Sequence, residues 1–331
     1  MVKVALVKGE DRYKNIQKAL GSLEDELEPK IKKAKRIVIK PNFVSVFQQL
    51  AATHVEAIKA VLDFLFCYTK EQILIAENAA LGNTFQGFAN FGYLELEKDY
   101  NVCLFDLGKD KFVPFWIFDI SGRKQKIGIA KTILDADLRI SVTPMKTHDE
   151  MIVTLGLKNM IMGSIDKRAL VHQGPRLSNL NIAHLAPKVL PHLCLIDGFL
   201  AMEGNGPVEG EPKKLKIALA SCDSLACDWV GTRLMGFDPD DVGYLHFCEE
   251  KKLGETENIE IVGEKLEKCV TKFIFHRNLE RQLQWKIKPT PLQRFLIPPM
   301  TKSYLYIQKM PFYNTAWFEK FKEQIKRFLG Y

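Results

Sequence analysis

Hydrophobic and polar positions alternate along this chain in two periods. Short runs that are almost wholly apolar recur as VKVALVK at the start, RIVIK (36–40), ILIAE (73–77), VCLFDL (102–107), LRISVTP (138–144), LCLID (193–197), KIALAS (216–221) and IEIVG (259–263). Their length and β-branched content predict buried strands. Between them, apolar residues recur at helical spacing near 11–28, 54–68, 151–162, 179–190, 224–235 and 239–252. Apolar strands separated by amphipathic helices predict an α/β fold of mostly parallel sheets covered by helices. Residues 110–130 read differently: two strand-like runs flank Ser121-Gly122-Arg123, which predicts a hairpin. These patterns predict two lobes, 1–130 and 131–268, with a cleft between them. A C-terminal extension over 269–331 then packs on the body.

Several polar residues read first as helix caps. Thr53 and Glu56 have capping-box spacing, Asp238 precedes Pro239, and Asp223 follows the run KIALAS. Thr147 or Asp149 is placed to cap a helix beginning near Glu150, on which Thr154 and Lys158 share a face.

In parallel sheets ligands sit beyond the carboxyl ends of strands. Here those ends carry Lys40 and Asn42, Glu77, Asp106, Lys146 and His148, Asp197 and, a little further on, Glu203. Helix-terminal amides attract anions. The pattern therefore predicts that Lys40, Asn42, Lys146, Thr154 and Asn159 bind a small carboxylate or phosphate. His148 is the expected general acid–base, with Lys158 and His172 as further catalytic candidates. Glu77, Asp106, Asp197 and Glu203 are candidate ligands for a divalent cation, and hard oxygen donors suit Mg²⁺ better than zinc.

The run EGNGPVEG is no dinucleotide fingerprint, because Pro207 interrupts it and a strand follows; it reads as a tight loop lining the cleft. The seven cysteines form no CxxC, so zinc-ribbon and ferredoxin patterns are absent and no iron–sulfur cluster is expected in this chain. Most are expected to be reduced, buried thiols.

Charge changes the picture at one end. The net charge is +7, yet from Lys272 onward twelve Lys/Arg face three Asp/Glu, a local +9 that leaves the rest at about −2. This tail also carries Phe273, Phe275, Trp285, Phe295, Tyr304, Trp317 and other aromatics. It is expected to wrap the body, with protein or membrane-surface contact as the alternative and specific nucleic-acid binding disfavoured. No apolar run reaches the length of a membrane span and the N-terminus reads as a strand and not a leader, so a cytoplasmic location is expected.

The stretches IKPNFVS, PMKTH…TLGLKNMIMG, Asp197-Gly…MEGNGP and SCDSLACD…MGFDPDDV resemble the family termed domain of unknown function 362, over roughly 36–255. Many of its members carry ferredoxin-like cysteine clusters, which implies redox surroundings; this chain has none. A fainter similarity is to the lactate racemase family, which uses a nickel-pincer nucleotide. His148, Lys158 and His172 echo its His, Lys, His order. The resemblance implies a lysine that tethers the cofactor and histidines that ligate nickel or move a proton. The glycine-rich segment before the lysine and the upstream Thr-Arg and His-Arg elements are missing, so nickel chemistry is not carried over. The expectation is an enzyme acting on a small anion, or a non-catalytic binding or assembly protein that docks through its tail.

Overall fold

The structure is a computed structural model that describes residues 1–288, 290–292, 294–296, 299 and 303. Its centre is one nine-stranded sheet in the order β11-β1-β10-β9-β7-β2-β3-β4, with β8 added to β7. The strands are β1 (Val2–Lys8), β2 (Ile37–Lys40), β3 (Ile73–Glu77), β4 (Val102–Asp106), β5 (Phe112–Phe118), β6 (Lys124–Ala130), β7 (Leu138–His148), β8 (Ile152–Thr154), β9 (Leu193–Asn205), β10 (Glu209–Ser221) and β11 (Ile259–Gly263). The pairs β11–β1, β9–β7, β7–β2, β2–β3 and β3–β4 run parallel. The pairs β1–β10, β10–β9 and β7–β8 are antiparallel. The fold is thus α/β with a large, mostly parallel sheet flanked by helices. The expected division at residue 130 coincides with no break in this sheet, because β2 and β7 pair directly across it.

Alternation along each strand explains the two cores, since successive side chains point to opposite faces. Val4, Leu6 and Val38 enter one apolar cluster with the helices Gly156–Gly163, Pro175–Val189, Ser224–Leu234 and Gly243–Glu250. Ala5, Ile37 and Ile39 enter the other with Arg12–Gly21, Glu24–Lys33 and Val55–Phe66. The expected hairpin is present: β5 and β6 pair antiparallel, and Gly122 takes the positive φ of 79° that its turn requires.

Three local expectations are corrected. The helix expected from Glu150 is a strand followed by a shorter helix: Ile152-Val153-Thr154 pairs back onto Lys146–His148, and the helix begins at Gly156. Three consecutive residues of β-branched type prefer the pleated sheet. Thr154 therefore lies opposite Lys146 on a ladder, not one turn from Lys158. Thr53 does not cap the Val55–Phe66 helix, which His54 caps instead; the Thr53 hydroxyl accepts from Asn42 N at 2.8 Å and donates to Val142 O at 2.8 Å. EGNGPVEG forms the tip of the long β9–β10 hairpin, where Gly206 lies against Thr147: a Cβ there would come within 2.4 Å of the Thr147 carbonyl. Asp223 and Asp238 cap as expected.

Of the extension, the described part closes on the body. Phe273 packs on Phe237, and Trp285 lies against Phe247 and His246 while its Nε1 donates to Asp241 O at 2.6 Å. Most of the basic, aromatic tail lies outside the described residues. Cys194, Cys227, Cys248 and Cys269 are buried free thiols, and Cys67 is exposed.

Candidate functional site

The carboxyl ends of β2, β3 and β7 lie side by side, and this brings together residues far apart in the chain. Lys40 ends β2, where Pro41 disfavours any helical continuation. Its Nζ donates to Glu77 Oε2 at 2.7 Å, Asn159 Oδ1 at 2.8 Å and Pro41 O at 2.9 Å. Asn42 Nδ2 donates to the same Asn159 Oδ1 at 3.1 Å, and Asn159 Nδ2 donates to Ser141 Oγ at 3.0 Å. Asn42 Oδ1 in turn accepts from Lys146 Nζ at 2.6 Å, and Ala51 O accepts from the same ammonium at 2.9 Å. One continuous network thus joins Lys40, Glu77, Asn42, Asn159 and Lys146.

Lys158 and His148 adjoin it, with Nζ and Nε2 2.7 Å apart. The exposures are 1% for Lys40, 0% for Lys146, and 7% each for Lys158 and His148. Burial pushes Lys146 down to about 7, with the Lys158 charge adding to the effect. Burial likewise brings Lys158 down to about 8, against the pull of Asp149 and Glu150, and His148 down to about 4. Burial also lowers Lys40, while Glu77 holds its charge in place.

His148 Nδ1 lies 3.0 Å from both the Glu150 N–H and Asp149 Oδ1. Two proton arrangements are open, each meeting one of the two Nδ1 contacts. In one, Nδ1 donates to Asp149 and Nε2 accepts from the Lys158 ammonium. In the other, Nδ1 accepts from Glu150 N and Nε2–H donates to a neutral Lys158 amine. They differ in the placement of protons on the imidazole and the amine, which is what a proton-transfer pair requires. Beside it, Ile152 holds φ at 64°, a left-handed value that a β-branched residue rarely takes.

His172 stands one layer back: its Nδ1 pairs with Glu150 Oε2, and Ser178 Oγ donates to Glu150 Oε1 at 2.7 Å. Thr154 is buried opposite Lys146. The four acids expected as metal ligands do not converge. Glu77 is engaged by Lys40; Asp106 accepts from Thr84 Oγ1 at 3.1 Å and Gly108 N at 2.9 Å. Asp197 pairs with Arg12 at 3.0 Å, and Glu203 accepts from Lys213 Nζ at 2.7 Å and Ile274 N at 2.9 Å. Among the described residues, the group with metal-ligand spacing is instead Asp240, His246 and Glu249, on the surface. Strand ends supplied these acids in sequence, but their own cations and amides claimed them.

Sequence reasoning missed the residue that sets the lysine-bearing helix. Gly156–Gly163 has no cap of its own; Asp228, from the Ser224–Leu234 helix, accepts from Gly156 N at 2.8 Å and Leu157 N at 3.0 Å. Tyr244 Oη donates to the same carboxylate at 3.2 Å. A capping acid is normally sought just before its helix, and this one comes 71 and 72 positions away. Gly163 was also overlooked: a Cβ there would fall 1.8 Å from Lys40 Cε. The expected open cleft is closed. Gln282 of the C-terminal extension is itself buried, and its Nε2 donates to His148 O.

The model of the family described as Domain of unknown function (DUF362) matches residues 37–233. This chain belongs to that family. The matched span includes every residue of the network, together with His148, Lys158, His172 and Asp228. A relative is the thylakoid-associated protein sll1697 of Synechocystis sp., 25% identical over 233 residues that make up 66% of this chain and 71% of that protein. Among solved structures, the lactate racemase apoprotein from Thermoanaerobacterium thermosaccharolyticum is similar at a TM-score of 0.46 and 16% identity, over 70% of this chain. A protein from Thermotoga maritima is similar at 0.42 and 12%, over 72% of this chain. This chain spans only 57% and 59% of those two chains. No helix among the described residues is long and apolar enough to cross a membrane.

Proposed function

We propose that this protein is an enzyme that takes a small anion, a carboxylate or phosphate, against Lys146 and Lys158. His148 and Lys158 then exchange the proton with it. One observation carries this reading: among the described residues, neither of these two buried lysines forms an ion pair, whereas Lys40 beside them has Glu77. A buried cation with no acid in direct contact is costly, even where Asp149 and Glu150 pull on Lys158 and Glu77 on Lys146 from further off, and an anion seated between the two would relieve both. Amines brought near neutrality can also give or take a proton at physiological pH. Asn42 orients Lys146 and Asn159 holds Lys40 beside it, and a divalent cation has no place in this reading beyond the separate acids described above.

The test uses thermal denaturation of the full chain at pH 7 with inorganic phosphate, acetate and succinate. A saturable rise in melting temperature in wild type, lost in Lys146→Met, supports the site; no rise with any of the three refutes it. A second reading, a non-catalytic binding or assembly protein, is favoured by the closure of the site under Gln282. His148→Gln separates the two: an enzyme keeps the anion-dependent rise but loses the turnover of wild type, whereas a non-catalytic protein shows the rise in both forms and turnover in neither. A cytoplasmic setting, with membrane-surface or protein contact through the basic tail, belongs to the same proposal. Cell fractionation at low and high salt tests it, because a screened electrostatic contact is released by salt.

A further inference from the structure

A cavity of about 530 Å³ lies away from the lysine network, between the β5–β6 hairpin tip and the Pro175–Val189 helix. The helix serves both places: Ser178 reaches Glu150 behind the site, while Leu177, Leu180 and Asn181 line the cavity. The hairpin is tied down on this side, because Asn181 bonds both the N–H and the carbonyl of Phe118, at 3.2 and 2.8 Å. The hairpin and the helix are thus fixed to each other beside the cavity.

Its floor is apolar. Ile120 and Leu177 form a small cluster of their own, separate from the two main cores, and Phe118 and Leu180 extend it. Its rim is cationic: Arg176, Lys251, Lys288 and Arg294 all line it. Arg176 is held by Trp285 O at 2.8 Å and by the face of Phe247. Among the described residues Lys251, Lys288 and Arg294 form no ion pair with any acid. The one acid in the lining, Asp119, is already committed: it accepts from Ser121 N, Arg123 N, Arg123 Nε and Gln125 Nε2, all within 3.1 Å. An apolar floor inside the common size range of small-molecule sites, under a rim with unspent positive charge, selects an apolar body bearing one anionic head.

We propose that this cavity binds a monomeric single-chain amphipathic anion, its chain on Ile120 and Leu177 and its head at Lys251 and Arg294. The inference is independent of the chemistry assigned to the lysine network.

The experiment titrates the full chain with dodecanoate below its micelle concentration, following binding by calorimetry. Dodecanol, dodecyltrimethylammonium and anionic phospholipid vesicles serve as comparisons. The expected result is saturable one-to-one binding of dodecanoate, at least about fivefold tighter than either other amphiphile. Lys251→Glu with Arg294→Glu should weaken it at least about fivefold, since both positions are exposed and reversing each replaces attraction with repulsion. Leu177→Trp, which fills the floor, should abolish it while circular dichroism reports a folded chain. Equal affinity for the cationic amphiphile, binding unchanged in the charge-reversed variant, or association with vesicles alone would each overturn the proposal.

Discussion

Replacing Lys146 by methionine gives a sharp prediction, because the sign of its effect on stability changes with pH. The folded protein holds this ammonium at a pKa of about 7 against an ordinary 10.5. At about 1.4 kcal/mol per tenfold change, that gap is worth about 5 kcal/mol. Below pH 7 both folded and unfolded chains carry the proton, and the folded state bears the whole cost. Between pH 7 and 10.5 the folded state sheds the proton first, so wild-type stability rises; above that range the cost is gone. Methionine has similar length and no charge, but it leaves Asn42 Oδ1 and Ala51 O without their donor, a loss of about 1 kcal/mol or more each. Lys146→Met should therefore be about 2–3 kcal/mol more stable than wild type at pH 6, and about 1–2 kcal/mol less stable near pH 10. Urea unfolding followed by tryptophan fluorescence, at one-unit steps from pH 6 to 10, measures the difference. Other ionisable groups are common to both proteins, so the change in that difference with pH reports Lys146. A difference that stays constant within about 1 kcal/mol across the range would refute the reasoning, since it would mean that no strained cation is present.

Other predictions follow from single contacts. Glu77→Gln removes the counter-charge of a Lys40 that is 1% exposed, and should cost about 3–5 kcal/mol by chemical denaturation. Gly163→Ala forces a methyl group onto Lys40, whose ammonium is pinned by three acceptors and cannot swing aside; a loss of about 3 kcal/mol, read as a lower melting temperature, is expected. Asp228→Ala leaves Gly156 N, Leu157 N and Tyr244 Oη without an acceptor and should destabilise by about 3 kcal/mol or more. Faster amide hydrogen exchange in the first turn of the Gly156–Gly163 helix is the local signature to seek in that variant.

Much of the frame was legible in the chain. Runs such as ILIAE and IEIVG became strands with the expected bounds: ILIAE is an inner strand and mostly buried, while IEIVG is an edge strand whose β-branched residues suit the pleated backbone. The strand ends named Lys40, Asn42, Lys146 and His148 as neighbours, since parallel strands bring their carboxyl ends to one edge; Lys158 and Asn159 join them from the Gly156–Gly163 helix. The expectation failed where local preference and partner choice competed. Periodicity over 151–162 suited a helix, yet the ladder with Lys146–His148 offered Ile152–Thr154 a better fit.

Sequence alone thus determined the α/β class, the family and the identity of the lysine-rich edge, all of which depend on local pattern. Only the tertiary structure decided which charges are compensated. Glu77 serves Lys40, Asp197 serves Arg12, and Lys146 and Lys158 form no ion pair among the described residues. Pairing depends on distance across the sheet and on burial, neither of which is a property of neighbouring residues in the chain. The same holds for Asp228, whose hydrogen bonds to a helix 71 and 72 positions away exist only once two helices have packed.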